Sequence, residues 1–172
     1  MAAETLTGTR AGSTFPVFKP SGNGNLAVAY GSYTIPAVVE DGDIFEMCRL
    51  PAGAVVVGGM FYGDDIDTGA ETLDLDVGWA ANGGSGTFDT ANPDGFGNLG
   101  VLTGDVLATG NLSNEVGLIY PFMGEFANGA LPVFTRETVV QVEANAASAG
   151  GHVGVISVVV YYTVDESLAA NI

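Results

Sequence analysis

Apolar and polar residues alternate over several short segments of the chain, with the period of two that is typical of half-buried β-strands. The clearest case is residues 72–79, where every odd-numbered residue is large and apolar and the even-numbered ones are Thr72, Asp74, Asp76 and Gly78. Aspartates are costly in a core, so this second face is expected to meet water or a cationic partner.

The segment before this strand has a different composition. Residues 54–62 are mostly β-branched, aromatic or glycine, which favours a strand, whereas residues 63–71 combine glycine with aspartates, as surface turns do. The sequence therefore predicts two paired strands joined by an exposed turn, which Asp64, Asp65 and Asp67 keep soluble.

The rest of the chain favours further strands and no helix. The last predicted strand is apolar on both faces, which indicates a central strand or one covered by a second layer. Residues 80–100 are dense in Gly, Asn and Asp and are expected to form a long loop. The predicted strands are residues 26–39 as two short strands around Gly31, 44–50, 116–126 with a bulge at Pro121, 138–144 and 152–164.

Many short strands separated by turns predict an all-β fold. We favour an antiparallel β-sandwich of the jelly-roll kind, with a single barrel as the alternative. Residues 26–165 would form this domain, residues 1–25 an extended N-terminal arm and residues 166–172 a C-terminal tail.

The predicted arm carries Phe15, Val17 and Phe18 among Thr, Gly, Ser and Asn. A free tail gains nothing from large apolar side chains, so these three residues suggest an arm that docks on another surface. The alternative is that this segment is a first edge strand of the domain, where its prolines are tolerated.

The net charge is −16, with only four basic residues in 172. This balance argues against binding nucleic acid or an anionic membrane and permits a basic or mixed protein partner. No segment has the roughly 18 consecutive apolar residues of a membrane span, and the N-terminus lacks the features of a signal peptide, so a soluble protein is expected.

Candidate catalytic groups are sparse. His152 is the only histidine, it follows two glycines, and no nucleophile motif accompanies it. Cys48 lies on a predicted strand and is expected to be a small buried hydrophobic residue. We therefore expect no enzymatic activity and no cofactor.

The spacing of the aspartates in the acidic turn partly matches that of the ligands in a calcium-binding loop. They depart from it because Gly69, Ala70 and Asp76 occupy the positions that need an oxygen ligand, a glycine and a bidentate glutamate. A solvated turn without metal is the better interpretation, and a weak surface cation site is the alternative.

The remaining signal is for association. The last predicted strand presents Val155, Val159 and Tyr161 on one side, and its other side is equally apolar. Either a sandwich centre or a subunit interface would cover both sides. We assign Val158, Val160 and Tyr162 to a trimer interface or to the core.

Residues 49–80, RLPAGAVVVGGMFYGDDIDTGAETLDLDVGWA, together with Phe88 and the late strand at 158–162, resemble a group of tailed-bacteriophage virion proteins. The resemblance is to capsid decoration, or cement, proteins. It implies a homotrimeric β-sandwich on the outer surface of the capsid, bound to the major capsid protein and bridging neighbouring capsomers, with an arm that reaches across the shell. It also implies synthesis in the host cytoplasm.

A second hypothesis is a carbohydrate- or receptor-binding β-sandwich of a head fibre or tail component. Trp79, Phe88 and Phe96 would then lie at loop tips and stack against sugar rings.

Overall fold

A computed structural model describes residues 4–8, 11–12, 17, 26–36, 38–64, 66–67, 72–101, 118–151, 153–165 and 167–168, without the side chains of 101 and 118–120. Its regular elements are almost entirely strands. They are β1 (Thr5–Thr7), β2 (Ala27–Ile35), β3 (Ile44–Leu50), β4 (Ala54–Gly63), β5 (Asp74–Trp79), β6 (Asn92–Val101), β7 (Leu118–Pro121), α1 (Gly124–Ala127), β8 (Thr138–Ala146) and β9 (Gly154–Val164).

The strands form two sheets that pack as a sandwich. The five-stranded sheet has the order β1-β3-β8-β5-β6, and the four-stranded sheet has the order β2-β9-β4-β7. All pairings are antiparallel except that of β1 with β3. The predicted all-β antiparallel sandwich is confirmed, and β9 is a central strand between β2 and β4, as its two apolar faces indicated.

The predicted pairing of residues 54–62 with residues 72–79 is wrong. Strand β4 pairs with β9 and β7 in one sheet, whereas β5 pairs with β8 and β6 in the other. Strand β4 buries one face, β5 is buried from Leu75 to Trp79, and the buried apolar side chains of both strands belong to the core between the sheets. The connection between β4 and β5 is therefore a crossover between sheets.

Two further predictions of element bounds are wrong. Residues 27–35 form one continuous strand, because Gly31 lets β2 lie against β3: a Cβ at this position would be 1.9 Å from the Met47 carbonyl oxygen. The long loop ends at residue 91, and Asn92–Val101 pairs with β5 despite its glycines because Phe96 is fully buried.

The chain also turns where a strand was predicted to continue. After β7 ends at Pro121, the single-turn helix α1 begins at Gly124. A Cβ on Gly124 would be 2.1 Å from the Gly95 carbonyl oxygen, so close contact with β6 requires a glycine here. The predicted turn at Asn128 and Gly129 is present, with Gly129 at a φ of 77°.

The core lies between the sheets and is centred on Trp79. Its ring contacts Phe96 and Phe134 edge-on, at centroid distances of 4.9 and 5.3 Å, and its indole N–H donates a hydrogen bond to the Thr90 carbonyl oxygen (2.9 Å). Cys48 is fully buried as predicted, and this burial raises the pKa of its thiol to about 12. Such a thiol is an inert packing group.

Part of the segment predicted as an arm belongs to the sheet. Thr5–Thr7 pair with β3 as its parallel edge strand. The Asp43 carboxylate fastens this strand, since it accepts hydrogen bonds from the backbone N–H groups of Glu4 (3.1 Å) and Glu40 (2.9 Å). No helix in the described part of the chain is long and apolar enough to cross a membrane.

Candidate interaction surfaces

The predicted site residues fall in different places. Val158, Val160 and Tyr162 are fully buried on the inner side of β9, so their side chains lie in the core of the single chain. Val17 is half-buried. Phe15 and Phe18, like His152, lie outside the described residues.

The other side of β9 faces outwards from the four-stranded sheet. Val155, Val159 and Tyr161 lie on it, and strand pairing places Val159 between Tyr30 of β2 and Met60 of β4. Tyr161 is flanked by Val28 and by Gly58, where β4 has a bulge. These outward side chains therefore form one continuous layer across three strands.

This layer is exposed and uncharged. Val28, Tyr30, Val57 and Val155 keep 45, 46, 42 and 38% of their surface accessible. None of the outward positions of β2, β4 and β9, which are described along their full lengths, carries a charged residue. We call this surface the apolar face and define it by Val28, Tyr30, Val57, Val155, Val159 and Tyr161.

The outer face of the five-stranded sheet is acidic. Glu46 of β3, Glu143 of β8, and Asp74 and Asp76 of β5 all point outwards, and we call these four residues the acidic face. Arg49, at the end of β3, forms an ion pair with Glu137.

Asp76 does not meet water as predicted, because it is only 5% exposed. The Asn145 side-chain amide donates a hydrogen bond to one of its oxygens, while its Oδ1 and that of Asp74 are buried without a partner among the described residues. Desolvation raises the pKa of Asp76, and repulsion from Asp74, Asp94 and Glu143 adds to this effect.

Glu143, the neighbour of Asp76 across β5 and β8, is shifted in the same direction. Burial raises the pKa of its carboxyl group, and the negative charge of Asp41 raises it further. Two carboxyl groups of the acidic face thus bind protons more readily than they would in water.

Of the predicted acidic turn, Asp64 is exposed as expected and Asp65 lies outside the described residues, whereas Asp67 is buried with 3% exposure. Its carboxylate accepts hydrogen bonds from the backbone N–H groups of Thr72 (2.7 Å), Leu73 (2.9 Å) and Gly150 (3.0 Å). Burial alone would raise the pKa of Asp67, but these N–H groups outweigh it and hold the pKa below its usual value. Asp67 therefore ties the crossover to the β8–β9 turn instead of keeping a turn soluble.

The predicted stacking platforms are also absent from the surface. Trp79 and Phe96 are buried, and the half-buried Phe88 packs against the Trp79 ring at a centroid distance of 6.0 Å. No group of three potential metal-ligating side chains converges within the described ranges.

A groove of about 160 Å³ lies beside β1. Leu6, Val38 and Phe45 contribute its apolar lining, and Glu4 and Asp43 contribute carboxylates. Asp43 already accepts two backbone hydrogen bonds there. The groove is accordingly a seam between β1 and the β2–β3 connection.

Comparison with known proteins identifies solved structures with a similar fold. No protein-family model matches the chain, and no curated protein matches it. A chain in the capsid of Ralstonia phage GP4 is similar in structure, with a TM-score of 0.65 and 20% identity over 94% of this chain and 99% of that chain. A chain in the capsid asymmetric unit of cyanophage Pam1 has a TM-score of 0.59 and 24% identity over 91% and 99%. The sandwich is thus a fold that also occurs in bacteriophage capsids.

Proposed function

We propose that the protein is a structural component of a bacteriophage virion, which binds the outer surface of the capsid as a homotrimer and bridges neighbouring capsomers. The observation that carries this proposal is the end-to-end likeness to chains from two phage capsids. Because nearly the whole of each chain is matched, the likeness extends over the entire molecule instead of one motif.

The strand order supports the jelly-roll form of this fold. Strands β2-β9-β4-β7 pack against β3-β8-β5-β6, so eight consecutive strands divide into two four-stranded groups. This division is the one expected of a jelly roll, an architecture used by viral capsid proteins. Strand β1 then adds to the edge of the second group.

The environments of Cys48 and Asp67 agree with a structural role without catalysis. Cys48 is buried with a raised thiol pKa, and the oxygens of Asp67 accept backbone hydrogen bonds. Neither group is available to a substrate.

The partner in this proposal is the major capsid protein. The N-terminal segment would supply part of the contact through Phe15, Val17 and Phe18, since large apolar side chains stabilise an arm only when they are covered. The protein would be made in the host cytoplasm and added to the assembled shell.

Co-sedimentation with purified phage heads tests the proposal. The full-length protein should pellet with heads that lack it, saturate at a fixed ratio, and appear by electron microscopy as extra density at three-fold positions on the outer surface. Failure to bind intact heads would refute the proposal.

A paired variant tests the arm separately. Phe15→Ala with Phe18→Ala should weaken head binding on the order of 1,000-fold, because each buried aromatic side chain contributes about 2 kcal/mol and about 1.4 kcal/mol corresponds to a tenfold change. The control pair Leu131→Ala with Val153→Ala removes apolar side chains that are 49 and 59% exposed. Equal effects from both pairs would contradict a contact by the arm.

A further inference from the structure

The two outer faces of the sandwich differ in the polarity of their outward positions. In an isolated antiparallel sandwich, outward positions are expected to be polar while inward positions are apolar. The acidic face obeys this rule, whereas the apolar face places Val155, Val159 and Tyr161 outwards on a strand whose inward residues are also apolar. Large apolar residues therefore occupy three of the five outward positions of β9, beside Ser157 and Thr163.

The apolar face spans three neighbouring strands. With strands about 4.8 Å apart and about 3.3 Å of length per residue, the outer side of β2, β9 and β4 covers roughly 450 Å². This area includes the outward Ser32, Thr34, Ser157 and Thr163 beside the apolar side chains. Contiguous apolar patches of a few hundred Å² on a protein surface are often functional. Strand β7 widens the same sheet beyond this area.

We infer that the apolar face is the surface through which copies of this chain associate with one another. This inference deepens the proposed function, because it supplies an interface for the homotrimer. In a three-fold arrangement the faces of three copies would turn towards the axis, so that each copy covers parts of its two neighbours.

The charge of the chain selects a second copy as the occupant. Each copy carries a net charge of −16, so contact between copies through most of the surface would bring carboxylates together. The apolar face avoids this repulsion because its three strands carry no outward charge. A basic partner would instead gain more from the acidic face.

The distance between the two sheets also reduces the repulsion between associated copies. Packed sheets lie about 10 Å apart. The acidic face lies on the far side of the sandwich from the apolar face. Its carboxylates therefore lie about 10 Å or more from a contact made through the apolar face.

A matched pair of substitutions tests this inference. Val159→Asp puts a charge at the centre of the apolar face, and Val139→Asp makes the same change at a half-buried outward position on β8, a central strand of the other sheet. We expect sedimentation equilibrium to give a mass above the 17.5 kDa of one chain for the unaltered protein. Val159→Asp should weaken association on the order of 100-fold, because the charge is desolvated at the contact. Val139→Asp should leave it within a few-fold.

Circular dichroism on each variant separates dissociation from unfolding. If Val159→Asp fails to fold, Val57→Asp takes its place, since Val57 is 42% exposed and lies at the β4 bulge. A monomeric unaltered protein at every concentration, or equal weakening by the two Asp variants, would overturn the inference.

The outcome is distinguishable from that of the head-binding experiment. A protein that binds heads but stays monomeric refutes the apolar-face interface and the homotrimer, and leaves the capsid-binding role standing. A protein that self-associates through this face without binding heads refutes the virion role alone.

Discussion

The two outer faces of this sandwich differ in the charge and in the exposure of their side chains. The apolar face has no charged outward residue on β2, β4 or β9, although its largest side chains stay accessible to water. The acidic face carries carboxylates, yet Asp76 is almost completely buried and lacks a cationic partner among the described residues. Each face therefore holds side chains whose exposure is unfavourable: the exposed valines and tyrosines on one face and the buried Asp76 on the other.

Both arrangements cost free energy in a single copy. Exposed valines and tyrosines gain nothing from water, and a buried carboxylate costs free energy unless donors surround it. An apolar contact between copies would offset the first of these costs.

The largest expected effect on stability comes from the close packing of the β6 backbone against Gly78 on the outer side of β5. A Cβ on Gly78 would lie 1.9 Å from the Asn92 carbonyl oxygen and 2.4 Å from that of Pro93. Gly78→Ala should therefore lower the free energy of unfolding by more than about 3 kcal/mol, since backbone of β6 must move away from β5. Ser157→Ala, an outward position on β9, should change it by less than about 0.5 kcal/mol. Urea denaturation of both variants measures the difference, and similar values would remove this contrast between the faces.

The next effect concerns a buried carboxylate that does have donors. Asp67→Ala should lower the free energy of unfolding by about 2 to 3 kcal/mol at pH 7, because three backbone N–H groups lose a charged acceptor. The folded-state pKa is lowered, so this stabilisation is present above the unfolded value of about 3.9 and is lost as the pH falls through the folded value. Denaturation at pH 7 and pH 3 should show the gap between the two proteins narrowing. A constant gap would indicate that charge is not its source.

Asp76 should behave in the opposite way. Its folded-state pKa is raised by desolvation, so the unaltered protein loses stability as the pH rises from about 3.9 through the folded value. Asp76→Asn removes that charge and can still accept the hydrogen bond from Asn145. The variant should be more stable by about 1 kcal/mol at pH 7 and should lose this advantage below the unfolded pKa. A variant less stable than the parent at pH 7 would show that the carboxylate has a stabilising partner.

The smallest effect is that of salt on self-association. If copies meet through the uncharged face, raising the salt concentration should tighten association, on the order of a few-fold, because screening weakens the repulsion between acidic chains. Sedimentation equilibrium across a sodium chloride series measures this trend. Weaker association at higher salt would instead indicate ion pairs across the contact.

The apolar face could be predicted only in part from the sequence. The pattern of β9 shows a strand that needs cover on both sides, but both of its faces are apolar and so do not reveal which one is inside. Val158, Val160 and Tyr162 point into the sandwich, while Val155, Val159 and Tyr161 point away from it. The direction depends on which side of the four-stranded sheet meets the second sheet, and no local pattern contains that information.

Residues 72–79 show what the sequence determined by itself and what it did not. Alternation assigned Leu73, Leu75, Val77 and Trp79 to the core, and all four are buried, because a period of two is a property of the strand alone. Only the tertiary structure decided that β5 pairs with β8 and β6 instead of β4, and that Asp76 is covered. Pairing and coverage depend on residues far away in the chain, such as those of β6 and β8. Asp76, which looked open to water along the sequence, is therefore buried in the assembled sheets, whereas Asp74 stays half-buried.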